Sequence, residues 1–109
     1  MIVEFLPEVV DFFEELAWVL HEEGFFGSYK FSRRYVSELI DDITTSLPTC
    51  RHRPAPKHFD KYGKGMKYAS FKKNRRTTWY AFFKIYEKKG ETIYLVRYIS
   101  NNHVIAQFL

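Results

Sequence analysis

The sequence is poor in cysteine, in long apolar runs and, over its second half, in acid. Its single thiol, Cys50, cannot close an internal disulfide, and one cysteine is too few for a thiolate-bound zinc. No stretch approaches the roughly eighteen uninterrupted apolar residues that a membrane-spanning helix requires. The first residues carry Glu4, Glu8 and Asp11 with no basic segment ahead of an apolar core, which does not suit a secretory signal and makes the cytoplasm the expected location. The scarcity of acid is regional. Residues 1–50 hold Lys30, Arg33 and Arg34 against ten carboxylates, a net of −7, whereas residues 51–109 hold fourteen Lys and Arg against Asp60, Glu87 and Glu91, a net of +11. Such a polarity points to an anionic partner, an acidic protein, or both; a small protein with one basic face is the plainer alternative. The four histidines lie too far apart in the chain for metal-ligand spacing.

What is present is a folding chain, 46% apolar and 19% aromatic over 109 residues, a length that suits one domain with one core. "MIVEFL" alternates apolar residues and contains β-branched Ile2 and Val3, which predicts a short strand ended by Pro7. Proline suits the first turn of a helix, and Glu8 and Asp11 complement its dipole. Val9, Phe12, Phe13, Leu16, Ala17 and Leu20 then recur at helical spacing up to the cap residue Gly24. A second helix is predicted from Ser28, with Phe31, Tyr35, Leu39, Ile43 and Leu47 on one stripe, and Pro48 closes it. The short Gly24–Gly27 link makes the pair an antiparallel hairpin.

The basic tract "PTCRHRPAPKHFDKYGKG", with three prolines and two glycines, predicts a long loop, assigned to residues 51–65. Beyond it the period changes to two, giving strand candidates at 66–72, 77–86 and 92–100, the last two joined by a hairpin turn at Gly90. "VIAQFL" adds either a short strand or a final turn. The expected architecture is one α+β domain spanning residues 1–109, an N-terminal strand and two-helix hairpin packed on one face of a small, mainly antiparallel four-stranded sheet.

That arrangement leaves the other sheet face open. In strand 77–86, Trp79, Ala81, Phe83 and Ile85 form an apolar row for the helices, and Tyr80, Phe82, Lys84 and Tyr86 form the opposite row. In strand 92–100, alternation puts Ile93, Leu95, Arg97 and Ile99 against Tyr94, Val96, Tyr98 and Ser100. Arg97 in an apolar row either snorkels at the sheet edge or answers a carboxylate from the helices. Tyr80, Phe82, Lys84, Tyr94 and Tyr98, edged by Arg51, Arg53, Lys57, Lys67, Arg75 and Arg76 and joined by His58 and Lys72, make a candidate RNA-binding platform on which bases stack while cations meet phosphates. The plainer reading is that aromatic residues favour strands anyway.

The element order resembles the RelE/ParE superfamily of type II toxin–antitoxin toxins over nearly the whole chain. The resemblance is carried by "VEFLPEVVDFFEEL", "ELIDDITTSLPTCRHRP", "KYGKGMKYASF" and "TTWYAFFKIYEKKGETIYLVRYISNNH". It implies a small basic toxin held inactive by a cognate antitoxin. Most members are endoribonucleases that cleave mRNA on the ribosome without a metal or other cofactor, and a branch poisons DNA gyrase. By resemblance Lys67 matches a basic position opening the second strand, and His103 lies where members carry a catalytic His or Arg. With Arg76, Lys84 and Arg97 they form the expected catalytic set around the scissile phosphate. The chain departs from the family pattern at two places: an arginine early in the third strand is here Thr78 or Tyr80, and "SNNH" lacks the usual paired arginines.

Three readings follow: an mRNA endoribonuclease toxin; a gyrase-directed toxin without nuclease activity; and a non-catalytic binding module with the toxin fold. Each implies an antitoxin partner and none a membrane.

Overall fold

Pro7 sets the course of the first elements. In the computed structural model, which describes residues 1–109, β1 (Ile2–Phe5) ends two residues before it and α1 (Pro7–Glu22) begins on it, with Glu8 in the first turn. Gly24, at φ +77°, takes the left-handed conformation that lets the chain turn back. Ser28 then opens α2 (Tyr29–Ser46), its Oγ accepting the Phe31 N–H at 3.4 Å.

The helices bury Val9, Phe13 and Ala17 from α1 and Ser32, Val36, Leu39 and Ile43 from α2, with Leu47 just beyond. The α2 stripe is therefore rotated from the expected one. Phe31 is exposed and Tyr35 lies at the margin, where its hydroxyl accepts the Trp79 indole N–H at 2.9 Å. A large ring at an exposed helix position reads as core in a spacing count, while a small buried Ser32 does not.

The sheet has five strands in the order β1-β5-β4-β3-β2, from β2 (Arg53–Pro54), β3 (Lys67–Lys72), β4 (Thr78–Lys88) and β5 (Glu91–Asn101). This corrects the expected four strands: the fifth is a two-residue strand inside the proline-rich tract, too short to carry a period. β1 pairs in parallel with β5, Ile2 opposite Ile93 and Phe5 opposite Val96, and the other pairs are antiparallel. Ala69 and Phe71 of β3, Trp79, Ala81 and Phe83 of β4, and Tyr94, Val96 and Ile99 of β5 join the helices in one core.

The alternation of β5 breaks at Arg97. Tyr98 pairs with Phe82 and Val96 with Phe83, so Arg97 is an extra residue, a β-bulge. The bulge returns Ile99 to the helix side after Tyr94 and Val96. Arg97 and Tyr98 both turn to the opposite side, where the Arg97 Nε donates to the Tyr62 carbonyl at 2.7 Å and the Tyr98 ring stacks on that of Tyr62 at 3.8 Å. The arginine that disturbed an apolar row is thus not in that row, and neither snorkelling nor a helix carboxylate is involved.

The second face is covered, which corrects the expectation of an open platform. Residues 57–62 form a 3₁₀ helix whose Phe59 lies on Phe82, ring centroids 4.3 Å apart. Met66 and Ile105 complete a small cluster in which Phe59 is 1% exposed and Phe82 fully buried. The C-terminus adds α3 (Asn102–Ile105) and a final 3₁₀ turn, from which Phe108 stacks face to face on His58 at 3.6 Å. The tract 51–65 is therefore a folded cover held by an aromatic residue, and no extended loop.

Candidate nucleic-acid interface

β1 is shorter than β5, and that difference makes a site. Pairing between them stops at Phe5 opposite Val96, the Leu6 N–H bonds the Val96 carbonyl at 3.0 Å, and the chain leaves for α1. Beyond Val96 that edge of β5 has no neighbouring strand. A cavity of about 580 Å³ wraps it. Leu6, Glu8, Val9 and Phe12 form one wall, and Tyr62, Arg97, Tyr98, Ser100 and Val104 the other.

Arg97 is the cation of this cavity. Its Nε is fixed by the Tyr62 carbonyl, and no carboxylate lies within 4.0 Å of its guanidinium. Gly63 (φ +149°) makes room for it, because a Cβ there would meet the Arg97 Nε at 2.7 Å. The terminal guanidinium nitrogens make no protein hydrogen bond, so the fork is oriented and still able to take an anion. Beside it, burial pushes the Tyr98 phenol above its ordinary pKa; Tyr62 adds to the shift, and Ser100 and Lys61 oppose it. At neutral pH Tyr98 is therefore a proton donor.

A second basic cluster sits where β3 turns into β4. The Asn74 side chain accepts the N–H groups of Arg76 and Thr77, both at 2.9 Å. Asn102 ties the same turn to the end of β5: its Oδ1 accepts the Thr78 N–H at 2.9 Å and its Nδ2 donates to the Arg76 carbonyl at 3.0 Å. His103, whose N–H is capped by the Asn101 side chain, places Nε2 3.2 Å from the Thr77 hydroxyl. Arg75, Arg76 and His103 are all exposed, and neither arginine meets a carboxylate. The neighbouring Lys73 differs: it lies 3.8 Å from both Glu38 and Asp42 and over the Tyr35 ring, tethering the turn to α2.

The residues expected to be catalytic are therefore not gathered at one point. Arg97 lies at the edge cavity, and Arg76 and His103 at the β3–β4 turn. Lys84, half-buried opposite Leu95, is one strand inward. Lys67 pairs with Phe83 and belongs by alternation to the row of Ala69 and Phe71, the helix side, away from the others. Among the expected RNA contacts, Lys72 shares the row of Thr78 and Tyr80, and Arg51, Arg53 and Lys57 are exposed along the covering segment. His58 is stacked on Phe108, and Phe82 presents no surface to a base, because Phe59 occupies its face. Tyr80 is half-buried beside Tyr68, and Tyr98 offers its hydroxyl while its ring is taken by Tyr62.

Sequence reading missed Glu8, Tyr62, Asn74 and Asn102. Only the asparagines left a trace, as residues that bond nearby backbone at turns and caps. His52 proves structural: its Nε2 faces the Leu47 carbonyl at 2.7 Å and so carries the hydrogen, closing the end of α2. No three His, Cys, Asp or Glu side chains converge, and no helix is long and apolar enough to cross a membrane. Comparison with protein-family models, curated proteins and solved structures finds no match to this chain.

Proposed function

We propose that the chain is a toxin of the RelE/ParE kind that cleaves RNA at the edge cavity of β5, and that a cognate antitoxin neutralises it. The observation that carries this reading is Arg97, an oriented guanidinium with free terminal nitrogens, beside a proton-bearing phenol in a half of the chain with a net charge of +11. Cleavage through the 2′-hydroxyl needs a base, a cation for the phosphorane and an acid for the leaving oxygen. Glu8, on the facing wall, takes the 2′-hydroxyl proton. The 2′-oxygen attacks phosphorus while Arg97 holds the non-bridging oxygens. The bond to the 5′-oxygen breaks as Tyr98 donates its proton, leaving a 2′,3′-cyclic phosphate and a 5′-hydroxyl.

The antitoxin is expected to be an acidic protein with apolar side chains. It would meet the unpaired cations of the second half and the exposed Trp18, Phe25 and Phe31 of the helical hairpin. The same exposed rings favour the second reading, in which the target is a protein such as DNA gyrase.

Mapping RNA 5′ ends after induction, in cells and with purified ribosomes, tests the proposal. Cleavage with cyclic-phosphate termini is expected, lowered about 10²–10³-fold in Arg97→Ala and about 10²-fold or more in Tyr98→Phe. Intact transcripts alongside a DNA-damage response would select the gyrase-directed toxin.

A further inference from the structure

The two basic clusters are joined by one continuous edge. From Arg97 the free side of β5 runs past Tyr98 and Ser100 to Val104, all lining the same cavity, and His103 precedes Val104. His103 in turn reaches Thr77 in the arginine turn. Along β4, Thr77 is about 18 Å from the Phe82–Phe83 step that Arg97 faces, at about 3.3 Å per residue. No carboxylate lies within 4.0 Å of Arg97, Arg75 or Arg76, the turn's Lys73 alone being paired, with Glu38 and Asp42, and side-chain bonds from Asn74 and Asn102 to the backbone fix the far end.

We infer that Arg97 and the Asn102-braced Arg75–Arg76 turn are two separate phosphate-binding poles of one footprint, and that a single strand of RNA spans them along the free edge of β5. This rests on the RNA-cleaving reading above and adds to it the length and form of the substrate. A stacked strand advances about 3.4 Å per phosphate, so this backbone span corresponds to about five nucleotides, and fewer for an extended strand. A duplex does not suit the edge, because the wall of α1 stands against β5 on one side and the 57–62 cover on the other. The turn thus acts in positioning: it holds the flanking strand while Arg97 holds the phosphate that reacts.

The asparagines explain why a turn can serve as a pole. Exposed arginines on a free loop lose conformational entropy when they bind, whereas here four side-chain bonds already fix the backbone that carries them. Asn102 is the central brace because it joins β4 to the chain that leaves β5, so the spacing of the two poles is set by the sheet itself.

The test measures binding of a fluorescent trinucleotide and a fluorescent decanucleotide RNA, in non-hydrolysable 2′-O-methyl form, across a salt series. The proteins are wild type, Arg97→Ala, Arg75→Ala/Arg76→Ala and Asn102→Ala. Each phosphate contact to a single strand contributes about 0.7 to the slope of log K against log salt. On the decanucleotide the double variant is expected to lose about 0.7–1.4 of that slope, and on the trinucleotide nothing. Arg97→Ala should weaken both RNAs, and Asn102→Ala should weaken the decanucleotide selectively while its circular dichroism stays that of wild type. Equal losses on both lengths, or an unchanged slope on the decanucleotide, would overturn the two-pole footprint and leave the cleavage reading standing. A wild-type protein that binds neither RNA removes the RNA reading itself, and the footprint with it.

Discussion

Phe59→Ala separates a covered sheet from an open one. Phe59 is 1% exposed, stacks on the fully buried Phe82 at 4.3 Å, and shares a cluster with Met66 and Ile105. It is the only residue of the 57–62 segment that is buried in the domain. Truncating a buried phenylalanine costs about 3–5 kcal/mol, the low end applying where the surroundings can collapse into the space. The cluster has few members and one movable wall, so a loss of about 3 kcal/mol is expected, a large share of the ~5–15 kcal/mol of a typical domain. Urea denaturation followed by circular dichroism measures it. Phe59→Leu, which keeps most of the volume, should lose less than about 1.5 kcal/mol. Exposed Lys61→Ala should stay within about 0.5 kcal/mol of wild type. If Phe59→Ala matched Lys61→Ala, the segment would not be packed on the sheet, and Phe82 would be available to a base after all.

Two further outcomes follow from single contacts. Tyr35→Phe removes the acceptor of the buried Trp79 indole N–H; a loss of about 1–3 kcal/mol in the same urea assay is expected, and an unchanged midpoint would mean that the indole finds water. Tyr98, whose phenol is pushed up mainly by burial, holds its proton more tightly folded than unfolded. Its contribution is therefore complete below the ordinary tyrosine pKa and is lost as pH rises through the raised one. Thermal midpoints of wild type should fall more steeply above about pH 10 than those of Tyr98→Phe, and parallel curves would refute the assignment.

The sequence made the helices and long strands legible because their signals are local and repeated. Pro7 and Ser28 mark starts, and the row Trp79, Ala81, Phe83 follows the pleat of β4. The site was less legible because its geometry depends on single exceptions. A bulge at Arg97 shifts half of β5 by one place, and only an arginine in an apolar row hinted at it. A lone Phe59 among prolines and lysines gave no period, yet it decides whether the second face is free. Lys67 enters the catalytic set only through the family resemblance, whereas alternation with Ala69 and Phe71 places it on the helix side.

The seam between β1 and β5 orders events during synthesis. Ile2 waits for Ile93, so the first strand leaves the ribosome long before its partner exists. The edge cavity inherits that delay, since Leu6 and Glu8 on one wall come from the start of the chain and Arg97, Tyr98 and Ser100 on the other from near its end. A nascent chain therefore carries no assembled cavity until residues 97–104 have been added. If the chain acts as the toxin proposed above, that delay gives a cognate antitoxin time to be present before the cavity is complete.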